Sequence, residues 1–281
     1  MPGKVRLQQP KKSLIGPPLL IGIAVAYLAL VLFIPAIAVF YEAFHKGFQE
    51  FLTSISQPDF LNAVRMTLIA TAVAVPLNTV FGLCAAWVLA RNRFPGRALM
   101  ISILDLPFAI SPVVVGLMLV MLYGRNGWLG PLFSQWGIKI IFDTPGIVLA
   151  TVVVTLPFVA REVMPVLEDT GPSEEEAAKT LGAKDWQIFW RVTLPNIQWG
   201  LLYGVLLTNA RAMGEFGAVT VVSGNIAGKT QTLPIFVEEA YKNYQTAAAF
   251  GAASILALLA VVTLVLKELL ERRTAKRGIG H

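Results

Sequence analysis

Charged positions divide this chain into long apolar runs. No Asp, Glu, Lys or Arg occurs over 13–41, 66–90, 106–124, 144–160, 192–210 or 243–266. A helix crossing the hydrocarbon core of a bilayer needs about 20 predominantly apolar residues. The runs therefore predict six membrane-spanning helices, at about 17–41, 63–90, 98–123, 146–167, 197–222 and 246–267. A soluble helical bundle is the competing reading of such segments. It would need amphipathic helices to cover them, and the chain has almost none. The first run exceeds the 7–15 apolar residues of a signal peptide and lacks a small-residue cleavage site, so it reads as a retained helix.

Composition agrees with the pattern. Hydrophobic residues make up 56% of the 281 and charged residues 14%, against roughly 45–50% and 25% in soluble domains; mean hydropathy is +0.66. Cys84 is the single cysteine, which excludes an internal disulfide framework and reads as a small packed hydrophobe; with only His45 and His281, zinc sites and histidine-based triads are not expected. The net charge of +6 is a matter of topology. Fifteen of the 23 basic residues lie in the amino-terminal tail, the loops at 91–97 and 179–191, and the carboxyl tail, against five in the alternate loops. The positive-inside rule then places both termini in the cytoplasm of an inner-membrane protein. Nucleic acid is not expected as a partner, because the basic residues form no continuous patch. Tyr41, Trp87, Tyr123, Trp128 and Trp199 read as interfacial anchors at span ends.

One connection is longer and more polar than the rest. Residues 168–195 include the stretch GPSEEEAAKTLGAKDWQIFWRVTLP. Ser173 as N-cap with Glu176 three residues on predicts a capping box, and Glu174, Glu175 and Glu176 suit the positive end of a helix. Gly182 is placed to end that helix. A second short helix follows, carrying Trp186, Ile188, Phe189, Trp190 and Val192, and Pro195 is expected to close the segment before the fifth span.

Glu176-Ala177-Ala178, three residues, Gly182, nine residues, then Val192-Thr193-Leu194-Pro195 resembles the EAA motif of binding-protein-dependent ABC importer permeases. The stretches FGLCAAWVLARNRFPGR (81–97), LPFAISPVVVGLMLVMLYG (106–124), RAMGEFGAV (211–219) and SGNIAGKTQTLPIFVEEAY (223–241) are similar to the sulfate/molybdate branch of that family, and the last to its sulfate/thiosulfate permease subunits. The resemblance implies an all-α integral membrane protein with the type I importer permease fold. Six spans would lie within a domain of residues 14–267, flanked by basic tails at 1–13 and 268–281. It implies a coupling helix in which Glu176, Ala177, Ala178, Gly182, Ala183, Leu194 and Pro195 dock on an ATP-binding subunit present in two copies. It further implies a second, homologous permease subunit and an extracytoplasmic sulfate-binding protein, for which the Gly-rich stretch 223–232 is a plausible receiver. The chain has no G-x-x-x-x-G-K-[ST] loop, so ATP and Mg are expected on the partner ATPase, with no cofactor, metal or catalytic residue here. Molybdate or tungstate is the alternative cargo. An ion-gradient secondary transporter is the reading from another class, disfavoured by the lack of a repeat between the two halves.

Charges inside spans are functional candidates by default. Arg211 and Glu215, four apart on the fifth span, are expected to share one face and pair; Arg211 is a candidate to meet a tetrahedral oxyanion entering from outside, with a purely structural ion pair as the alternative, and Gly214 and Gly217 flank the pair as gate candidates. Ser111 and Thr155 are candidates to line a polar path, with hydroxyl back-bonding to the helix as the alternative. Arg161-Glu162 is expected to brace the coupling loop, and Asp105 to pair with an intramembrane arginine. Pro76, Pro107, Pro112 and Pro157 predict kinks.

Overall fold

The structure, a computed structural model, describes residues 16–278. The tail at 1–13 lies outside them, as does 279–281 of the carboxyl tail. Helix α1 (Gly16–Leu28) runs through a π-helical turn (Ala29–Phe33) into α2 (Ile34–Phe44). Then come α3 (Phe48–Ile55), α4 (Pro58–Arg91), α5 (Arg97–Ala109), α6 (Pro112–Tyr123), α7 (Gly130–Gln135), α8 (Thr144–Thr155) and α9 (Pro157–Thr170). The chain continues with α10 (Ser173–Thr180), α11 (Asp185–Ile188), a second π turn (Phe189–Thr193), α12 (Leu194–Met213), α13 (Gly217–Ser223), α14 (Leu233–Lys242) and α15 (Thr246–Gly278).

Among the described residues four helices are long and apolar enough to cross a bilayer: Leu20–Phe44, Pro58–Arg91, Thr144–Thr170 and Thr246–Thr263. Neither of the other two predicted spans is one continuous helix: 98–123 is a bent pair that would make a fifth span if counted as one, and 197–222 does not qualify as a span. In 98–123, Pro112 biases Ser111 out of the helical region; Ile110 and Ser111 are extended, and α5 and α6 meet at 106°. The predicted span 197–222 stops at Gly214 and restarts at Gly217, giving α12 and α13. The other prolines behave differently. Pro76 and Pro107 sit inside uninterrupted helices, and Pro157 opens α9 where it continues from α8.

Helix α4 is the spine, packing on α8, α9, α12 and α14. Small residues set the close approaches, as expected where lipid supplies no hydrophobic drive between helices. A Cβ on Gly82 of α4 would stand 2.7 Å from Val159 Cβ, and one on Gly204 of α12 would stand 3.0 Å from Val159 Cα, so α9 is wedged between the two. Around this joint lie Ala86, Val159, Val163, Leu167 and Ile197. A second cluster joins α4, α6, α8 and α13 through Ala70, Leu119, Ile147, Val154 and Val222, and a third joins α4, α14 and α15. The apolar window of the first span buries nothing within the chain, and α2 packs on α15. Cys84 is exposed on α4, not packed as expected.

Candidate functional site

At one end of the bundle the polar segment forms a rigid corner. Helix α10 starts at Ser173, but the predicted capping box does not form: Pro172 is the N-cap and no side chain caps the helix. The acidic run is spent on tertiary contacts instead. Glu175 receives Arg91 Nε and Nη2 at 3.1 and 2.9 Å, and Thr193 Oγ1 at 2.9 Å. Arg91 Nη1 also donates to the Leu167 carbonyl at the end of α9, at 2.6 Å. With side-chain exposures of 11% and 16%, the pair is well shielded from solvent and ties α4, α9, α10 and the approach to α12 together. Asn196 Nδ2 donates to Glu174 at 2.6 Å, and Arg97 pairs with Glu168 at 2.5 Å. These contacts brace the segment. Arg161, expected to do so, does not.

Gly182 ends α10 as expected, at φ +85°. Its N–H donates to Lys179 O and that of Ala183 to Ala178 O, which is the Schellman pattern. Beyond the turn Lys184 N–H is capped by Gln187 Oε1 at 2.9 Å. Pro195 does not close the segment: α11 passes through the π turn directly into α12, whose first turn tolerates the missing N–H. Trp87 stacks on Phe189 at 5.0 Å, seating that turn against α4. The outward surface holds Glu176, Ala177, Gly182 and the exposed side chains Leu181 (89%) and Trp186 (61%), while Ala178, Ala183 and Leu194 are half-buried and Pro195 is exposed.

Two arginine–carboxylate pairs lie away from the corner, Arg161–Asp105 nearer to it along the helices and Arg211–Glu215 further off. Arg211 Nη1 meets Glu215 Oε2 at 2.7 Å, the pair the spacing predicts. Glu215 is 2% exposed, and its other oxygen accepts the Ala218 N–H at 2.9 Å. One carboxylate thus neutralises Arg211 and caps the first turn of the restarted helix, a second role that the four-residue spacing does not signal. Gly214 sits at the break; Gly217 is the close approach, its Cβ position 3.0 Å from Pro112 Cβ at the α5–α6 elbow. The second pair answers the question of Asp105: Arg161 Nε and Nη2 bind its two oxygens at 2.7 and 2.6 Å, with the guanidinium carbon 5.2 Å from the centre of the Phe108 ring.

Ser111 is exposed at the elbow. Thr155 is fully buried, its hydroxyl donating to Thr151 O at 2.7 Å and accepting from Asn78 Nδ2 at 2.8 Å, so it faces helix α4 and not open space. The loop at 223–232 is internally tied. Thr230 Oγ1 donates to Ser223 O and accepts from Ile226 N–H, while Gln231 Nε2 donates to Asn225 Oδ1 and to Glu239. Among the described residues no three His, Cys, Asp or Glu side chains gather as a metal would need.

Residues 78–276 match the family model described as binding-protein-dependent transport system inner membrane component. The chain is 72% identical over 256 residues to a sulfate transport system permease protein CysW of Synechocystis sp., covering 91% of this chain and 93% of that one. It is 59% identical to the chloroplastic sulfate permease 2 of Chlamydomonas reinhardtii (92% and 70% covered), and 37% identical to the sulfate transport system permease protein CysT of Escherichia coli K12 (96% and 98%). A chain in the crystal structure of a bacterial alginate ABC transporter shares the fold, with TM-score 0.76 at 18% identity over 92% of this chain and 95% of that one. The chain belongs to the inner-membrane permease family of binding-protein-dependent ABC importers.

Proposed function

We propose that this chain forms half of the translocation pathway of an ATP-driven importer for sulfate or thiosulfate. In this reading it has six spans, the third and fifth broken, with both termini cytoplasmic. A second, CysT-like permease supplies the other half. Two copies of a separate ATPase bind ATP and Mg, and an extracytoplasmic binding protein delivers the anion to the 223–232 side. The observation that carries the reading is the outward face of α10 and its turn, where Ala177, Leu181, Gly182 and Trp186 stand exposed on a corner fixed from behind by Arg91–Glu175. Small residues let a partner approach closely, and Leu181 and Trp186 offer apolar anchors for a groove. Sulfate as cargo is supported by the names of the relatives at 72% and 59% identity.

ATP binding would draw the two ATPases together, move the coupling corners with them, and open the bundle outward to accept the anion; hydrolysis would restore the inward-open state. The physiological test is deletion. Cells lacking this chain should fail to grow on sulfate as sole sulfur source and should recover with cysteine or the restored gene. Growth on sulfate with no other sulfate uptake system present would overturn the cargo assignment, and loss of molybdate uptake alone would reassign it.

A further inference from the structure

We propose that Arg161, held by Asp105 and Phe108, is a second anion-contacting station of the pathway, on the coupling-segment side of Arg211. The inference rests on the permease reading and adds to it a named site for a tetrahedral oxyanion.

Arg161 lies one residue past the uncharged run 144–160 and nine before the end of the candidate span Thr144–Thr170, about 14 Å along the helix from that end. Its side chain is 52% exposed, and that of Asp105 27%. A charged pair bared to lipid within a span would be costly, so this face of α5 and α9 borders water or protein. The remaining faces of α9 are occupied. Val159, Val163 and Leu167 pack in the cluster with Ala86 of α4 and Ile197 of α12, and Glu162 and Val166 border Gly204 and Gly200 of α12. The open strip holds Arg161, Pro165, Glu168 and Asp169, with Glu168 paired to Arg97.

The geometry suits transient binding of a dianion. Asp105 engages Nε and Nη2, and the Phe108 ring lies beside the guanidinium, so its plane is fixed while the Nη1 edge stays outside the pair. A guanidinium edge matches two oxygens of a tetrahedral anion. The Asp105 charge keeps the station neutral overall, so an arriving sulfate is oriented without being trapped, as conduction requires. Arg211–Glu215 has the same design, with Arg211 34% exposed against a buried carboxylate. Gly204 sits level with Val159 and Glu162, and Arg211 is seven residues further along α12. The two stations are therefore offset by about 10 Å along the helix axis.

The test uses the complete transporter, this chain with the second permease, the ATPase and the binding protein, in proteoliposomes supplied with radiolabelled sulfate. Arg161→Gln should lower the maximal uptake rate at least ten-fold while ATPase stimulation by the binding protein persists. Asp105→Asn should lower both KM and the maximal rate severalfold, because an unneutralised Arg161 holds the dianion longer. The decisive variant is Asp105→Asn with Arg161→Gln, which removes both charges and strands neither. It should stay at least five-fold below wild type, with Arg161→Lys intermediate. A structural ion pair predicts the opposite, recovery to wild-type uptake in the double variant, and that result would overturn the station. Wild-type vesicles that take up no sulfate would instead bring down the permease reading itself.

Discussion

Three glutamates in a row serve three different ends, and the helix rotation of about 100° per residue decides which. Glu174 turns toward Asn196, Glu175 inward to Arg91 and Thr193, and Glu176 outward. The spacing of the motif identified the segment and its exposed leading glutamate. It could not identify Glu175 as the internal anchor, because its partners lie 84 and 18 residues away in the chain. Removing one member of a shielded pair leaves the other charge uncompensated, at a cost on the order of 3 kcal/mol. Glu175→Gln should therefore loosen the corner, with ATP hydrolysis by the complex continuing while sulfate uptake falls severalfold. The exchange Arg91→Glu with Glu175→Arg should restore part of the coupling. Uptake per ATP unchanged in Glu175→Gln would show that the pair does not transmit force. Arg211 and Glu215 were legible as a pair from their spacing alone, whereas the second task of Glu215, capping Ala218, follows from a break that spacing does not announce.

At the scale of elements, four of the six predicted spans are helices apolar and long enough to cross a bilayer, the third makes a fifth if its bent pair counts as one, and 197–222 does not qualify among the described residues. A helix, a bend and a restart share one apolar profile, so the elbow at Ile110–Ser111 and the gap at Gly214–Phe216 depend on backbone chemistry. Prolines signalled the first in kind, though Pro112 alone of the four flagged ends a helix so sharply. The joint between α8 and α9 has its own solution. Pro157 has no N–H, and Leu156 N–H reaches back to Val153 O at 3.5 Å; Asn78 of α4 then donates to the neighbouring Val152 carbonyl at 3.0 Å and to Thr155 at 2.8 Å. An asparagine buried at 0% exposure in an apolar helix thus satisfies backbone that a proline left open. Asn78→Leu should destabilise the chain by about 1–2 kcal/mol, the scale of interhelical hydrogen bonds in membranes. Hydrogen exchange at the amides of 152–156 should accelerate, measured by mass spectrometry on the solubilised complex. Unchanged exchange there would show that the joint stands without its side-chain brace.

For the whole molecule, the sparse charges do most of the organising. They sort into the corner at α10, fixed by Arg91–Glu175, and two further arginines, Arg161 and Arg211, each neutralised by a carboxylate. The chain carries no phosphate-binding loop of the form G-x-x-x-x-G-K-[ST]. The measurement that tests the account most directly is sulfate uptake into proteoliposomes with this chain alone and with the second permease, ATPase and binding protein added. The account predicts no uptake by the chain alone under any ion gradient, and ATP-dependent uptake by the four components together. Uptake by the lone chain driven by a proton or sodium gradient would contradict it.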